Sequence, residues 1–107
     1  MSQLADSEIE FLRRLAREAG AEKLILFGSY ADGTAWEHSD VDLIAIKECR
    51  LPFVERFKEF PEWWEFRKPI ELFVYTPEEF KDMVERENSF ILSALEKGKV
   101  LYERPQE

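Results

Sequence analysis

The sequence predicts a small mixed α/β domain of the α+β kind, and three observations predict it. Short apolar runs of strand length alternate with segments whose apolar residues recur at helical spacing. Residues that start or stop helices bound those segments, giving the order α-β-turn-β-α-β-α-α-β. The chain also has 107 residues, the size of one domain, and 45% of them are hydrophobic, so a packed core is expected rather than disorder.

Each element has its own signal. Ser7 and Glu10 have the spacing of a capping box, and Ile9, Leu12, Leu15, Ala16 and Ala19 follow at helical spacing. Gly20 supplies a stop, so Ser7 to Ala19 reads as the first helix. Lys23 to Phe27 (KLILF) is short, apolar and followed by Gly28, and Val41 to Ile46 (VDLIAI) is a second such run; both read as strands. Leu51 to Phe60 carries Pro52 at a helix start, then Val54, Phe57 and Phe60 at helical spacing, which predicts a helix. Pro61 and Pro69 bracket the stretch PEWWEFRKP, which reads as either a short helix or a packed loop. Ile70 to Tyr75 (IELFVY) is the third strand. Thr76, Pro77 and Glu79 combine an N-cap, a first-turn proline and a cap-box glutamate, so a helix begins there. Ser89 to Lys97 is helical and stops at Gly98, and Lys99 to Glu103 (KVLYE) adds a last short strand.

Composition narrows the function classes. A domain of this length buries roughly 65% of the surface its unfolded chain exposes, enough for a core without staples. The single cysteine, Cys49, excludes an internal disulfide and is expected to pack as a small apolar residue. No basic-then-apolar leader opens the sequence and no apolar run nears the ~18 residues that span a bilayer, which predicts a soluble, cytoplasmic protein with no membrane role. The net charge of −8 is the opposite of a general nucleic-acid binder's basic footprint. It leaves room for a nucleotide ligand, because a bound metal reverses the local field.

Chemistry concentrates between Gly28 and Glu71. In a strand, side chains at i and i+2 leave the same face about 6.5 Å apart, so Asp40 and Asp42 point together. At an effective dielectric of about 20, two charges about 6 Å apart repel by about 3 kcal/mol. Ile44 and Ile46 continue that face and Val41, Leu43 and Ala45 make the other apolar, so the acids sit at the open end of a strand buried on both sides. A divalent cation with hard oxygen ligands would relieve the repulsion, and magnesium suits carboxylates completed by phosphates. The bland alternative is a solvated strand start. Gly28 permits a tight strand exit and close approach of another group to its backbone, and Ser29 with the following amides could hold phosphate oxygens if Ser29 to Gly33 begins a helical turn; the bland alternative is a plain strand-ending turn. Glu71, at the start of the third strand, is either a solvent-facing charge or a third carboxylate beside the aspartates. Two-metal phosphoryl chemistry needs such a cluster, and Glu71 could also ease deprotonation of an attacking hydroxyl. His38 is expected on the surface, and Trp63, Trp64 and Phe66 in core packing or, where exposed, at a partner surface.

Gly28-Ser29, ten intervening residues, Asp40-Val41-Asp42-Leu43 and the later strand carboxylate Glu71 together resemble the nucleotidyltransferase superfamily with the DNA polymerase β-like palm. The short length and the closing GKVLYE resemble its smallest branch, the minimal nucleotidyltransferases, over about Ser7 to Glu103. The resemblance implies a single minimal domain over residues 1–107, built on a small mixed sheet with helices mainly on one face. It implies Asp40 and Asp42 as ligands of two magnesium ions, with Glu71 completing the catalytic one. Gly28 and Ser29 would hold the β- and γ-phosphates of ATP while an acceptor hydroxyl attacks the α-phosphorus and pyrophosphate leaves. Members of this branch pair with small helical HEPN proteins, often ribonuclease toxins, so the chain would be an antitoxin that adenylylates a tyrosine of its partner. The alternative is a catalytically weak module that neutralises the partner by covering it. One departure bears on the choice. Many relatives carry an arginine after the Gly-Ser, where this chain has Ala31-Asp32-Gly33; Asp32 should weaken triphosphate binding unless it faces away, and Arg67 and Lys68, which could compensate, are expected rather in a solvated loop.

Overall fold

The computed structural model describes residues 1–105. Helix α1 spans Asp6–Ala19, strand β1 Lys23–Phe27, the single helical turn α2 Ser29–Asp32 and strand β2 Val41–Ile46. Two 3-10 segments, Phe53–Glu59 and Trp63–Glu65, lead to β3 (Ile70–Tyr75), α3 (Pro77–Glu85), α4 (Ser89–Lys97) and β4 (Lys99–Glu103). All four strands lie where the sequence places them.

The sheet is mixed, in the order β3-β2-β1-β4. Neighbours β1 and β2, and β1 and β4, run antiparallel, whereas β2 and β3 are parallel. A parallel pair needs a long crossover, and the 3-10 segments supply it. Alternate residues of the sheet feed two cores. Leu24, Leu26, Val41, Leu43, Ala45 and Val74 face α1, α2 and the Trp63–Phe66 region. Ile25, Ile44 and Ile46 face the other way, onto Ile91 and Ala94 of α4 and the partly buried Phe80, Met83 and Val84 of α3. The helices divide between the faces, α3 and α4 on one and α1 on the other, rather than lying mainly on one as the resemblance implied, because β1 and β2 are apolar on both sides.

Two local expectations are corrected. Helix α1 starts one residue earlier than the Ser7–Glu10 box predicts: Glu8 Oε1 accepts from the Ala5 amide at 2.8 Å, while Glu10 pairs with Arg13 at 3.1 Å. Glu8 also holds Lys68 at 2.6 Å, which fixes that end of the helix against the loop before β3. The expected helix from Leu51 to Phe60 is instead a 3-10 segment, and Val54 is exposed rather than packed. A 3-10 helix eclipses i and i+3. Phe53, Arg56 and Glu59 thus share one side, where Phe53 stacks on Phe73 with ring centroids 6.4 Å apart and Glu59 meets Lys47 at 2.8 Å. Arg56 is buried and donates to the carbonyls of Leu51 (2.9 Å) and Val74 (3.0 Å), and to Glu79. That tighter turn is what lets the arginine reach into β3.

Candidate active site

The acids meet at one end of the sheet. Register places Phe27 opposite Asp42 and Asp42 opposite Glu71, so three neighbouring strands contribute one rung. In β2 and β3 the alternation puts Asp42 with Ile44 and Glu71 with Phe73, on the face that carries α3 and α4. Asp42 is half-buried and Glu71 exposed. The Asp42 carboxyl is pushed up to about 6, chiefly by burial, then by a hydrogen bond with the Glu71 carboxyl and by the negative charges of Glu71 and Asp40. Two carboxyls on neighbouring positions of one rung are what the parallel register of β2 and β3 produces.

Asp40 precedes β2, exposed, in a loop of defined shape. The Trp36 amide donates to Ser39 Oγ at 2.8 Å and the Ser39 amide to the Trp36 carbonyl at 2.9 Å, closing the turn before it. The Val41 amide then joins the Pro69 carbonyl at 2.8 Å, tying the start of β2 to the start of β3. Among the described residues no three His, Cys, Asp or Glu side chains are drawn tightly enough together to hold a metal ion as they stand. The structure therefore sets Asp42 beside Glu71 on one rung, with Asp40 near enough to act on Asp42 through its charge.

Gly28 explains the turn beneath them. Its φ of 73° is in the left-handed region, and a Cβ there would collide with the Asp42 carboxylate. Only a glycine lets the acid lie over the end of β1. Beyond it α2 forms the helical turn: the amides of Ala31 and Asp32 return to the Gly28 carbonyl at 3.0 and 3.1 Å, and the first amides of the turn have no acceptor within it. Gly28 and Ser29 thus stand directly beside Asp42. Hard carboxylate oxygens beside a backbone cradle fit a divalent cation and its phosphate ligand in chemistry.

The other candidates sort plainly. Asp32 is exposed and its carboxylate accepts from both the amide and the hydroxyl of Thr34, which holds its pKa below the usual range. Lys68 is engaged by Glu8, and Arg67 is exposed. His38 is on the surface beside Glu37. Trp63 and Phe66 pack against the α1-side core, whereas Trp64 is 65% exposed. An aromatic wall behind the carboxylates escaped the sequence reading: Phe27 lies 6.0 Å from Phe73, and Phe90 of α4 closes on both at 5.3 and 5.6 Å. Its signal was present, since Phe73 follows Glu71 by two and Phe27 precedes Gly28.

Comparison with known proteins bears on the family and the fold. Residues 10–107 match the family described as polymerase beta nucleotidyltransferase. A 39-residue stretch, 35% of this chain, is 54% identical to a Methanocaldococcus jannaschii protein that carries the provisional name protein adenylyltransferase MJ1305; it spans 26% of that relative's length. Among solved structures, a toxin–antitoxin complex with AMP-PNP superposes with a TM-score of 0.62 at 22% identity, covering 96% of this chain and 77% of that one. A variant of the MntA–HpeT toxin–antitoxin gives 0.61 at 19% identity, over 92% of this chain and 75% of that one. A Sulfolobus solfataricus protein provisionally described as a nucleotidyltransferase gives 0.56 at 17%, over 92% and 82%.

Proposed function

The chain belongs to the polymerase beta nucleotidyltransferase family, and from that premise we propose that it transfers AMP from ATP to a protein hydroxyl. The acceptor in this reading is a tyrosine of a HEPN-class helical toxin, which makes the chain the adenylylating antitoxin of the pair, acting in the cytoplasm as one domain over residues 1–107. The observation that carries the reading is the rung on which Asp42 and Glu71 stand side by side, with Gly28 shaped to admit the Asp42 carboxylate. The protein adenylyltransferase name of one relative and the AMP-PNP in one toxin–antitoxin neighbour support the choice of reaction and donor. The net charge of −8 suits docking on a basic, RNA-binding partner.

Each residue has a separate task. Asp40, Asp42 and Glu71 would hold two magnesium ions, which when bound supply the positive charge that phosphoryl transfer needs on its developing oxyanions. Gly28 and Ser29 bind the β- and γ-phosphates through backbone amides and the serine hydroxyl. Glu71, exposed at the rim, takes the proton of the acceptor hydroxyl. The hydroxyl oxygen then bonds to the α-phosphorus as the bond to the bridging oxygen breaks and pyrophosphate departs. Asp32, tied to Thr34, is turned to its own loop, so its charge need not oppose the triphosphate.

Incubating the protein with its co-expressed helical partner, α-labelled ATP and magnesium tests this reading. Label on a partner tyrosine is the expected result. Neutralisation of the partner without label, and equally by Asp42→Asn, would replace it with the covering-module reading.

A further inference from the structure

A triphosphate is polyanionic, yet the segment from Gly28 to Ile46 contains no lysine or arginine and carries Asp32, Glu37, Asp40 and Asp42. Most of the chain's cations are committed elsewhere: Arg13, Arg14, Lys23, Lys47, Arg56, Lys58, Lys68, Arg86 and Arg104 each pair with an acid. Two of the remaining cations stand at the junction of α4 and β4. Lys97 ends α4 and Lys99 begins β4, both exposed, and neither makes an ion pair among the described residues.

The strand order gives that junction its meaning. Reading across the same end of the sheet, β3 offers Glu71, β2 offers Asp42, β1 offers Gly28, and β4 begins at Lys99, which registers with Leu26. Leu26 faces the core on which Tyr30 and Ala31 of α2 also pack, so Lys99 emerges on the side of that turn. Gly98 pins the junction down: a Cβ there would strike the carbonyls of Ala94 and Leu26, so no other residue fits this close approach. From the other side, after the Thr34 hydrogen bond, the charge of Lys97 also acts on the Asp32 carboxylate at the end of α2. The two lysines thus stand on the β4 side of α2, Lys97 ending the helix that covers the carboxylates' face and Lys99 at the strand end on the opposite face. Strands lie about 4.8 Å apart, so the run from β2 to β4 is about 10 Å, within reach of a triphosphate and a long lysine side chain together.

We propose that Lys97 and Lys99 are the triphosphate-binding cations of this chain, with the phosphate tail laid across the strand ends from Asp42 over Gly28-Ser29 toward β4. This rests on the nucleotide-transfer reading above. It fixes a direction, because the γ-phosphate lies nearest β4 and the α-phosphate nearest Asp42. The Lys97→Ala/Lys99→Ala variant, titrated by calorimetry with ATP, ADP and AMP in magnesium, tests it. Binding of ATP is expected to weaken about tenfold or more, ADP less and AMP hardly at all. The loss is expected to shrink as salt is raised, and the double Lys→Arg variant to restore ATP binding. Both side chains are exposed, so an unchanged melting temperature is expected alongside. If the unaltered protein binds ATP and the double alanine variant binds ATP and AMP in the same ratio, this inference falls alone. If the unaltered protein binds no ATP, the transfer reading falls with it.

Discussion

The two ends of β3 put charge to opposite uses. At its C-terminal end Arg56 meets Glu79 at 2.6 and 3.2 Å and donates to the Val74 carbonyl, while Glu79 accepts from the Thr76 amide at 2.9 Å and Thr76 Oγ1 accepts from the Glu79 amide at 3.1 Å. Arg56 and Glu79 there answer each other with opposite sign, and Arg56 holds the Glu79 carboxyl below the usual range. At the N-terminal end Glu71 faces Asp42 with Asp40 nearby, and the pKa of Asp42 is driven the other way. One end of the strand closes the fold. The other keeps a repulsion that a cationic ligand would relieve.

That contrast predicts which substitutions cost activity and which cost stability. Asp42→Asn is expected to lower AMP transfer by about a thousandfold or more, as removal of a charge-stabilising group does, in an assay with labelled ATP and partner. Arg56→Ala should cost about 2 kcal/mol in urea unfolding, because it empties a buried site and leaves the Leu51 and Val74 carbonyls without their donor, with the nucleotide affinity of the folded protein unchanged. Gly28→Ala joins both effects: the Cβ displaces the Asp42 carboxylate and the residue keeps an unfavourable φ, costing about 1–3 kcal/mol together with transfer activity. Thr76→Ala removes a cap worth about 1 kcal/mol and nothing else.

Smallest is a difference in pH dependence. The folded pKa of Asp42, about 6, lies above its ordinary value of 3.8. The folded state therefore binds that proton more tightly, and metal-free stability should fall as pH rises from about 4 to about 6. Glu79 is shifted down, so its contribution is present above the ordinary glutamate range and is lost as pH falls through its folded value. After allowing for solvent screening of a half-exposed group the Asp42 contribution is about 1 kcal/mol. Melting scans across that pH range should show the decline in the unaltered protein and its absence in Asp42→Asn.

The sequence made the site end far more legible than the latch. Strand alternation predicts Asp40 on the face of Asp42, although Asp40 stands just before β2 in a loop, and the Gly-Ser turn marks where β1 stops. The adjacency of Asp42 and Glu71 depends on a parallel pairing across the 47–69 crossover, which the residues leave as one of two readings of Glu71. Arg56 was invisible because apolar spacing in Leu51 to Phe60 imitates an α-helix, and an arginine donating to distant carbonyls leaves no local pattern. The sequence predicts a tight exit and a close approach at Gly28, but the group that approaches, the Asp42 carboxylate, is a contact between strands and has no local signal. Val54, placed in the core by periodicity, is 78% exposed because the 3-10 register rotates it outward.

Melting the unaltered protein and Asp42→Asn at neutral pH, each with and without magnesium and a non-hydrolysable ATP analogue, tests the central claim most directly. The variant should melt about 5 °C higher than the unaltered protein when both are bare. The unaltered protein should gain from magnesium and nucleotide together, and the variant should gain little. Equal melting temperatures when bare, with equal gains on adding ligand, would contradict a nucleotide site built on the acids of β2 and β3.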